Sequence, residues 1–446
     1  MSMTASWEAL KARESNAKTY ARHIDRLLVR GEGVTVQDHD GRSYIDCLAC
    51  AGALPLGHNH PYVNARVEAF LRSGQLQQAL DIATPAKLDF MRQLWRILPP
   101  AFAETARVQF CGPSGSDAVE AALKLCKTAT GRRSVLAFHG AYHGQTLGAL
   151  SLMGNLGPKQ AVAGLMSEVH FAPYPNPYRC PFGVGGAEGE RLALNYLATL
   201  LEDPESGITK PAAVVVEAVQ GEGGCIPASA AWLRGVRELT RRHDIPLVVD
   251  EIQAGFGRTG THFAFEIAGI EPDAIVLSKA AGGGFPLALI AYHQRHDVWR
   301  PGAHTGTFRG NQIGLVAGAA TIEYLLDNDL TTHARHMGTR LMDGLLRLKR
   351  EHPVIGDVRG RGLMVGAEIV NPGAAAGHRT PPADGQLARA IKSACLEQGL
   401  IIETGGRHGA VLRFLPPLVI TAGQVDDLLG RLERALVDVA VCQGAD

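Results

Sequence analysis

PLVVD at Pro246–Asp250 lies between two runs of the same kind, PAAVVVE at Pro211–Glu217 and AIVLSK at Ala274–Lys279. Each run has a few aliphatic residues and ends in an ionisable one. Such runs are typical of strands that are buried on both faces in a parallel sheet. Between the first run and the second along the chain, Ser229–His243 carries apolar residues at helical spacing. The alternation of strands and helices predicts βαβ units and an α/β fold.

The ionisable residues that end these runs, Glu217, Asp250 and Lys279, mark a candidate site. Ligands of open α/β sheets bind beyond the carboxyl ends of the strands. A carboxylate buried there is costly unless it is paired, and a protonated pyridine nitrogen would be such a partner for Asp250. A desolvated lysine has a lowered pKa and a nucleophilic amine. Taken alone, each residue would also suit an ordinary turn.

Two glycine-containing stretches strengthen the case for a site. CGPSGSDAVEAA at Cys111–Ala122 places Gly and Ser before a helix, where backbone N–H groups can cradle a phosphate. No Gly-Lys-Ser/Thr follows, so nucleotide binding has weak support. FHGAYHG at Phe138–Gly144 sets an aromatic ring between glycines, where it can lie on a planar ligand. Each stretch alone would suit a capped helix or a loop, but their order before Asp250 and Lys279 favours a binding site.

Composition and charge exclude several classes of protein. The chain has 446 residues with 44 Lys+Arg and 44 Asp+Glu, so it lacks the positive charge typical of proteins that bind nucleic acid or membrane surfaces. No apolar run approaches the ~20 residues of a membrane helix. The start of the chain lacks an apolar signal segment, which favours a cytoplasmic protein. The eight Cys residues include one CxxC, Cys47–Cys50, without a second pair, so we expect reduced thiols and no metal.

The pattern changes after about residue 310, which predicts a second unit. Val354–Val370 reads as antiparallel strands with turn glycines, between amphipathic helices. We therefore expect a large domain over 56–310 and a smaller α+β domain over 311–446. Residues 1–55 are predicted to pack with the smaller domain.

The motifs together resemble those of the class III (ω-amino acid) aminotransferases, which have the fold type I of pyridoxal 5′-phosphate (PLP) enzymes. The similarity runs from about residue 30 to residue 420, and the matching motifs occur in family order: LGHNHP, SGSDAVEAALK, FHGAYHG, VVVEAVQGEGG, LVVDEIQAGFGRTG, LSKAAGGGFP and HTGTFRGN. Ala218 is a departure, because the family often has Pro there. The resemblance implies a large domain with a mainly parallel sheet flanked by helices, and PLP as cofactor.

Three residues would be catalytic by this resemblance. Lys279 would bind PLP covalently and move a proton at the reacting carbon. Asp250 would pair with the ring nitrogen and keep it protonated, and Tyr142 would stack on the ring. These roles agree with the chemistry of the residues themselves.

The resemblance also implies how the rest of the cofactor is held. Gly115 and Ser116 would bind the phosphate, and Gln253 would lie near the phenolic oxygen. Thr307 would reach the phosphate of a neighbouring subunit. The resemblance therefore implies a homodimer with shared active sites, and it leaves open whether dimers pair into tetramers.

Two further residues would select substrates. Arg413 matches the family arginine that grips the carboxylate of an oxo acid in a bidentate pair. Glu222 matches the glutamate that pairs with this arginine when the donor is an amine. Such a pair would let one site accept an amine and 2-oxoglutarate in turn.

Within the family, GTFRGN and the region LEDPESG…PAAVVVEAVQGEGG look most similar to the diaminobutyrate–2-oxoglutarate aminotransferases. That similarity implies transfer of the 4-amino group of L-2,4-diaminobutyrate to 2-oxoglutarate. Another donor, such as ornithine, 4-aminobutyrate or lysine, is an alternative. So are an amino-acid racemase or aminomutase on the same fold and a non-catalytic protein that binds PLP or a nucleotide.

Overall fold

The structure is a computed structural model and describes residues 3–374 and 379–443. The helices are α1 Met3–Lys11, α2 Ala49–Gly52, α3 Pro61–Arg72, α4 Pro85–Ile97, α5 Pro100–Thr105, α6 Gly115–Thr130, α7 Leu147–Ser151, α8 Leu156–Gln160, α9 Gly186–Glu202, α10 Ala230–Arg242, α11 Gln312–Asp327, α12 Leu330–Glu351, α13 Gly385–Glu397 and α14 Ala422–Gln443. The strands are β1 Leu28–Glu32, β2 Thr35–Asp38, β3 Ser43–Asp46, β4 Ala106–Phe110, β5 Val135–Phe138, β6 Val169–Ala172, β7 Ala213–Val216, β8 Val219–Gln220, β9 Ile226–Pro227, β10 Leu247–Asp250, β11 Ala274–Leu277, β12 Leu289–His293, β13 Ile355–Arg361, β14 Met364–Ile369, β15 Leu400–Ile401, β16 Glu403–Gly405 and β17 Val411–Phe414.

A seven-stranded sheet lies at the centre, in the order β4-β12-β11-β10-β7-β5-β6. Neighbouring strands run parallel except at β12, which is antiparallel to β11 and to β4. Strands β5, β7, β10 and β11 are buried along their whole length. Burial on both faces explains why their sequences are continuous aliphatic runs without alternation. The predicted α/β fold with a mainly parallel sheet is confirmed.

Helix α10 anchors one face of this sheet. Its N-cap Ser229 accepts a hydrogen bond from the backbone N–H of Trp232 at 3.1 Å, a contact that typically contributes about 1 kcal/mol. The Trp232 side chain is 2% exposed and meets the rings of Phe138 and Tyr174 edge-on, with centroids 5.2 and 5.3 Å away. The helix is thereby fixed to the ends of β5 and β6, which border the candidate site.

A second, antiparallel sheet follows the order β13-β14-β17-β16. The antiparallel strands predicted over Val354–Val370 form the hairpin β13–β14. Helices α12 and α13 pack against the strands of this sheet, and α14 packs on both helices. Strand β17 is buried and places Arg413 opposite Gly366 of β14 and Glu403 of β16.

Two contacts bear on the predicted domains. The sheet β1-β2-β3-β15 joins the N-terminal segment to the C-terminal region through a parallel pair in which Ile45 faces Leu400. Helix α11, placed by prediction in the 311–446 unit, packs on α3, α4 and the turn Lys279–Gly282. The contacts of α11 favour assigning this helix to the large unit. The boundaries at 55/56 and 310/311 remain predictions, and residues 1–2, 375–378 and 444–446 lie outside the described chain.

The longest helices, α12 and α14, have 22 residues each, long enough to cross a bilayer. Within 3–374 and 379–443, however, no helix is both long and apolar enough to do so. The polar residues of α12 face solvent, and its buried face is formed by Leu341, Leu345 and Leu348. Helix α12 is therefore amphipathic and covers the C-terminal sheet, and α14 packs on the outside of α12 and α13.

Candidate active site

A cavity of about 1720 Å³ lies where β7, β10 and β11 end. Its wall contains most of the predicted site residues, namely Gly115, Ser116, Tyr142, Glu222, Asp250, Gln253 and Lys279. Arg413 lies behind this wall in contact with Glu222. Thr307 lies on an exposed loop away from the cavity. The parallel sheet explains the assembly, because the carboxyl ends of its strands meet at one edge.

Asp250, at the end of β10, is buried and forms a pair with His143. Its Oδ2 lies 2.8 Å from His143 Nδ1, and its Oδ1 accepts a hydrogen bond from the backbone N–H of Ile252 at 3.0 Å. Burial alone would lower the pKa of His143, but the hydrogen bond and charge of Asp250 outweigh it and raise that pKa. The other ring nitrogen, Nε2, is buried and has no hydrogen-bond partner among the described residues. The imidazole thus fixes the orientation of the carboxylate.

Lys279 follows β11 and begins a single 3₁₀ turn, Lys279–Gly282. Its backbone has φ +49°, a left-handed conformation that costs a non-glycine residue roughly 1–2 kcal/mol. The preceding Ser278 stabilises the turn, because its Oγ donates to the carbonyl of Leu287 at 2.8 Å. Burial lowers the pKa of Lys279, although the charges of Glu222 and Asp250 oppose the change. A larger fraction of the Lys279 side chain is therefore in the neutral, nucleophilic form than for a solvated lysine.

The turn before α6 forms a cradle of backbone groups, and a side chain in place of its glycines would fill it. The N-cap Ser114 makes no side-chain capping bond within the described chain, which leaves the first backbone N–H groups of the helix open. A Cβ at Gly115 would approach Ile252 Cδ1 to 2.9 Å. At Gly144, where φ is +129°, a Cβ would collide with Ser116 Oγ. The backbone approaches closely here, as at an anion site.

Glu217, directly after β7, supports the loop that carries Tyr142. Its carboxyl oxygens accept hydrogen bonds from the backbone N–H groups of Tyr142 and Gly221, both at 3.0 Å. Burial raises the pKa of Glu217 to about 7. Burial also raises the pKa of the Tyr142 phenol, so the ring faces the cavity in its neutral form.

Glu222 and Arg413 form an ion pair beside the cavity. Arg413 Nη1 donates to Glu222 Oε1 at 2.5 Å, and Arg413 Nη2 donates to Gln253 Oε1 at 3.0 Å. The Arg413 residue is 2% exposed. Burial would raise the pKa of Glu222, but the charge of Arg413 outweighs it and the pKa is lowered. Gln253 also donates from Nε2 to the carbonyl of Ala51 at 3.0 Å, so its amide is committed to protein partners in this structure.

The loop of Thr307 is tied to the large unit at both of its ends. His304 Nε2 lies 3.0 Å from Asp117 Oδ2, and Arg309 pairs with Asp81 at 2.9 Å. Thr307 between them is exposed. Its contribution to a site of a second subunit therefore stays a prediction.

One cluster outside the cavity has atoms at metal-binding distance. Ligand atoms of Cys111, Asp117 and His304 lie within 4.8 Å of one another. Asp117 Oδ2 is occupied by the backbone N–H of Gly112 at 2.6 Å as well as by His304. Burial raises the pKa of the Cys111 thiol far above neutrality, which disfavours the thiolate that a metal needs. The cluster works as a structural link, and the expectation of no metal remains a prediction.

Sequence reasoning missed the role of His143. The stretch FHGAYHG was interpreted only through its aromatic ring, whereas the structure pairs its His143 with Asp250, 107 positions further along the chain. It also missed Arg407, whose guanidinium lies at the cavity. A buried acid at a strand end was the available signal, since such a charge requires a partner.

The donor set fits PLP. An open helix N-terminus suits a phosphate, a buried carboxylate suits a cationic ring nitrogen, and a desolvated amine suits an aldehyde. The cradle at Gly115 and Gly144 leaves room that only glycine provides. No other group is needed to account for these features together.

Comparisons with known proteins agree with a site that binds PLP. The model of the family described as aminotransferase class-III matches residues 17–436. The diaminobutyrate–2-oxoglutarate aminotransferase of Rhizobium meliloti (strain 1021) is 52% identical over 95% of this chain and 90% of its own length. The enzyme of the same name from Haemophilus influenzae is 46% identical over 95% of this chain and 93% of its own length.

Solved structures give the same result. A transaminase obtained by ancestral reconstruction superposes with a TM-score of 0.87 at 26% identity, covering 98% of this chain and 99% of its own. An amine transaminase from an uncultivated Pseudomonas species, in a PLP-bound form, has a TM-score of 0.83 at 27% identity, covering 96% and 98%. The chain thus shares its fold with these proteins over nearly its whole length.

Proposed function

Because this chain belongs to the class III aminotransferases, we propose that it transfers the 4-amino group of L-2,4-diaminobutyrate to 2-oxoglutarate. The products are aspartate 4-semialdehyde and glutamate, and the reaction is reversible. Family membership makes the chain a PLP-dependent aminotransferase. The diamine donor is supported by the names and the full-length similarity of the relatives. A cytoplasmic location stays a prediction.

The observation that carries the reaction type is the Glu222–Arg413 pair. An aminotransferase alternates between an amine and an oxo acid in one cavity. Glu222 neutralises Arg413 while the amine is bound, and a carboxylate of 2-oxoglutarate replaces Glu222 on Arg413 in the second half of the cycle. A racemase or aminomutase needs no oxo-acid acceptor, so the pair favours transamination.

PLP, when bound, supplies a cationic ring that withdraws electrons from the carbon bearing the amino group. Asp250, oriented by His143, would pair with the ring nitrogen and keep it protonated. Lys279 lines the cavity, and its Nζ would hold the cofactor between turnovers. Once the substrate amine has displaced it, the free Nζ would take the proton from C4 of the diamine and return it to the cofactor. Tyr142 covers the ring face.

The remaining cofactor contacts come from two places. The backbone N–H groups at Gly115 and Ser116 bind the phosphate at the start of α6. Gln253, which lines the cavity, would lie near the phenolic oxygen of the cofactor. Since its amide contacts Arg413 in this structure, Gln253 also links the cofactor to the substrate pair.

We test the function with purified, PLP-loaded enzyme, 2-oxoglutarate and a panel of donors: diaminobutyrate, ornithine, 4-aminobutyrate and lysine. We expect glutamate and aspartate semialdehyde, with kcat/KM highest for diaminobutyrate. Lys279→Ala is the matched control and should retain PLP but form no glutamate. If another donor is preferred, the diamine assignment is wrong. If glutamate never forms and diaminobutyrate is only racemised or rearranged, transamination is wrong.

A homodimer with shared sites is supported by the surface around Thr307. Large apolar side chains are exposed on this loop and beside it: Phe308 (56%) follows Thr307, and Leu80 (45%) and Ile82 (62%) flank Asp81, which pairs with Arg309. The Arg309–Asp81 pair joins the loop to this apolar segment. Contiguous exposed apolar surface is typical of an interface.

Mixing two inactive variants tests the shared site. In a mixed dimer of Lys279→Ala and Thr307→Glu chains, one of the two sites would be intact if Thr307 serves the partner. Random mixing should then restore about a quarter of wild-type activity. Light scattering gives the mass and separates dimer from tetramer. A monomer, or no restored activity in a mixed dimer, contradicts the proposal.

A further inference from the structure

A second guanidinium, that of Arg407, lies at the wall of the active-site cavity. It belongs to the loop between β16 and β17 and extends over Gly140, where it occupies the space a side chain would need. The neighbouring Gly406 donates its backbone N–H to the carbonyl of Glu222 at 2.8 Å. Arg407 therefore spans the gap between the loop of Tyr142 and the loop of Glu222.

Within residues 3–374 and 379–443, this guanidinium lacks a protein partner. Among the residues that the structure describes, no carboxylate lies within 4.0 Å of it and no acceptor is in hydrogen-bonding position. The carboxylate that attracts it from a distance, Glu368, is already bound by Arg179 and by Arg359, the latter at 2.7 Å.

The acidic side chains of the cavity wall also have protein partners. Glu222 pairs with Arg413, Asp250 with His143 and Glu403 with Lys392 at 2.8 Å. Glu217 accepts two backbone hydrogen bonds and faces the loop of Tyr142. A cation whose neighbouring acids are all engaged favours an anionic ligand.

The loop that carries Arg407 has a defined conformation. Gly409 N–H donates to the carbonyl of Gly406 at 3.1 Å, and Ala410 N–H donates to that of Arg407 at 3.2 Å. Gly406, His408 and Gly409 have φ values of +71°, +61° and +66°. The start of α13 lies directly behind the loop, in contact with the carbonyl of His408. Arg407 is thus presented from a preorganised turn.

We propose that Arg407 binds the distal carboxylate of both substrates, an inference that rests on the proposed function. In diaminobutyrate the carboxylate is three bonds from C4, the carbon that bears the transferred amino group. In 2-oxoglutarate the C5 carboxylate is also three bonds from the reacting C2. One fixed guanidinium therefore serves both partners of the reaction. Arg413 is left to the carboxylate directly attached to C2 of the oxo acid.

The test is the variant Arg407→Gln, made beside Arg350→Gln, which removes an exposed arginine on α12. Each substrate is compared with an analogue that lacks only the distal carboxylate, 2-oxobutyrate for 2-oxoglutarate and 1,3-diaminopropane for diaminobutyrate. Loss of a charge-assisted contact should reduce the ratio of kcat/KM for each full substrate over its analogue by about 10- to 100-fold. Arg350→Gln should leave both ratios as in the wild type.

Binding provides a readout without turnover. Glutarate, an unreactive dicarboxylate, should bind more tightly than butyrate to the wild-type holoenzyme, and Arg407→Gln should remove most of that preference. Equal losses for the full substrates and their analogues, or unchanged ratios, would overturn the proposal. So would weakened retention of PLP in Arg407→Gln, which would assign the guanidinium to the cofactor phosphate.

The two proposals fail separately. If diaminobutyrate is not a donor but the 2-oxoglutarate ratio still falls in Arg407→Gln, the donor assignment is wrong and the role of Arg407 stands for the acceptor. If diaminobutyrate is a good donor and neither ratio changes, the proposed function stands and the role of Arg407 is wrong.

Discussion

Replacing Glu222 with Gln tests whether a protein carboxylate competes with the oxo acid for Arg413. Glu222 Oε1 accepts from Arg413 Nη1 at 2.5 Å, and the arginine is 2% exposed. A carboxylate of 2-oxoglutarate can reach this guanidinium only after the contact breaks. Glu222→Gln keeps the size of the side chain and one acceptor oxygen, and it removes only the charge.

The size of the effect follows from the two kinds of hydrogen bond. A bond to a charged group contributes about 1.5–3 kcal/mol and a neutral bond about 1 kcal/mol. The competitor is therefore weakened by about 0.5–2 kcal/mol, and 2-oxoglutarate should bind roughly 2- to 30-fold more tightly. The amine should bind less tightly, because the charge of Arg413 is no longer neutralised beside a cationic substrate.

Each half-reaction is followed separately by stopped-flow absorbance with one substrate at a time. Glu188→Gln, an exposed charge removal on α9, is the control and should change neither constant. If 2-oxoglutarate affinity is unchanged or reduced in a folded, PLP-loaded Glu222→Gln enzyme, Glu222 is not the competitor. The reasoning from the ion pair would then be wrong.

The other predictions concern the sheet edge. Asp250→Asn should lower kcat by orders of magnitude with circular dichroism unchanged; a near-normal rate would contradict its role. His143→Asn, which removes the partner of Asp250, should shift the pH dependence of the absorbance of bound PLP, a change that a purely structural residue would not cause. Burial raises the pKa of Glu217 to about 7 in the folded chain, above its unfolded value. The free energy of unfolding should therefore fall by up to about 3 kcal/mol as pH rises from about 4.5 to 7. In urea titrations, Glu217→Gln should reduce this dependence on pH. Trp232→Ala should cost roughly 3–5 kcal/mol of unfolding free energy, and a loss below 1 kcal/mol would mean that α10 is not held by this ring.

The sheet was predictable because its strands are buried on both faces. Burial of this kind requires continuous aliphatic runs, and those at Pro211–Glu217, Pro246–Asp250 and Ala274–Lys279 end where the cavity lies. The edge position of their last residues follows from parallel topology alone. Helical spacing of apolar residues over Ser229–His243 likewise predicted the helix that the structure has at Ala230–Arg242.

Long-range pairings could not be predicted in the same way. Nothing in FHGAYHG indicates that His143 faces Asp250, because the contact depends on how β5 and β10 lie in the sheet. Arg407 is separated from Gly140 by more than half of the chain, and its place depends on how the loop between β16 and β17 meets the loop after β5. The family resemblance predicted the roles of Glu222 and Arg413, but only the structure shows that their side chains are in contact.

The two contacts of Asp117 bear on how the protein responds to dilution. Its carboxylate joins the turn at Gly112, which leads into α6, to His304 at the start of the loop that holds Thr307. If that loop is fixed by a second subunit, the start of α6 is held more firmly in the assembled protein than in the separated chain. Coenzyme binding and association then favour each other by the same factor, as thermodynamic reciprocity requires. Added PLP should lower the concentration at which dimers separate, and dilution should release PLP.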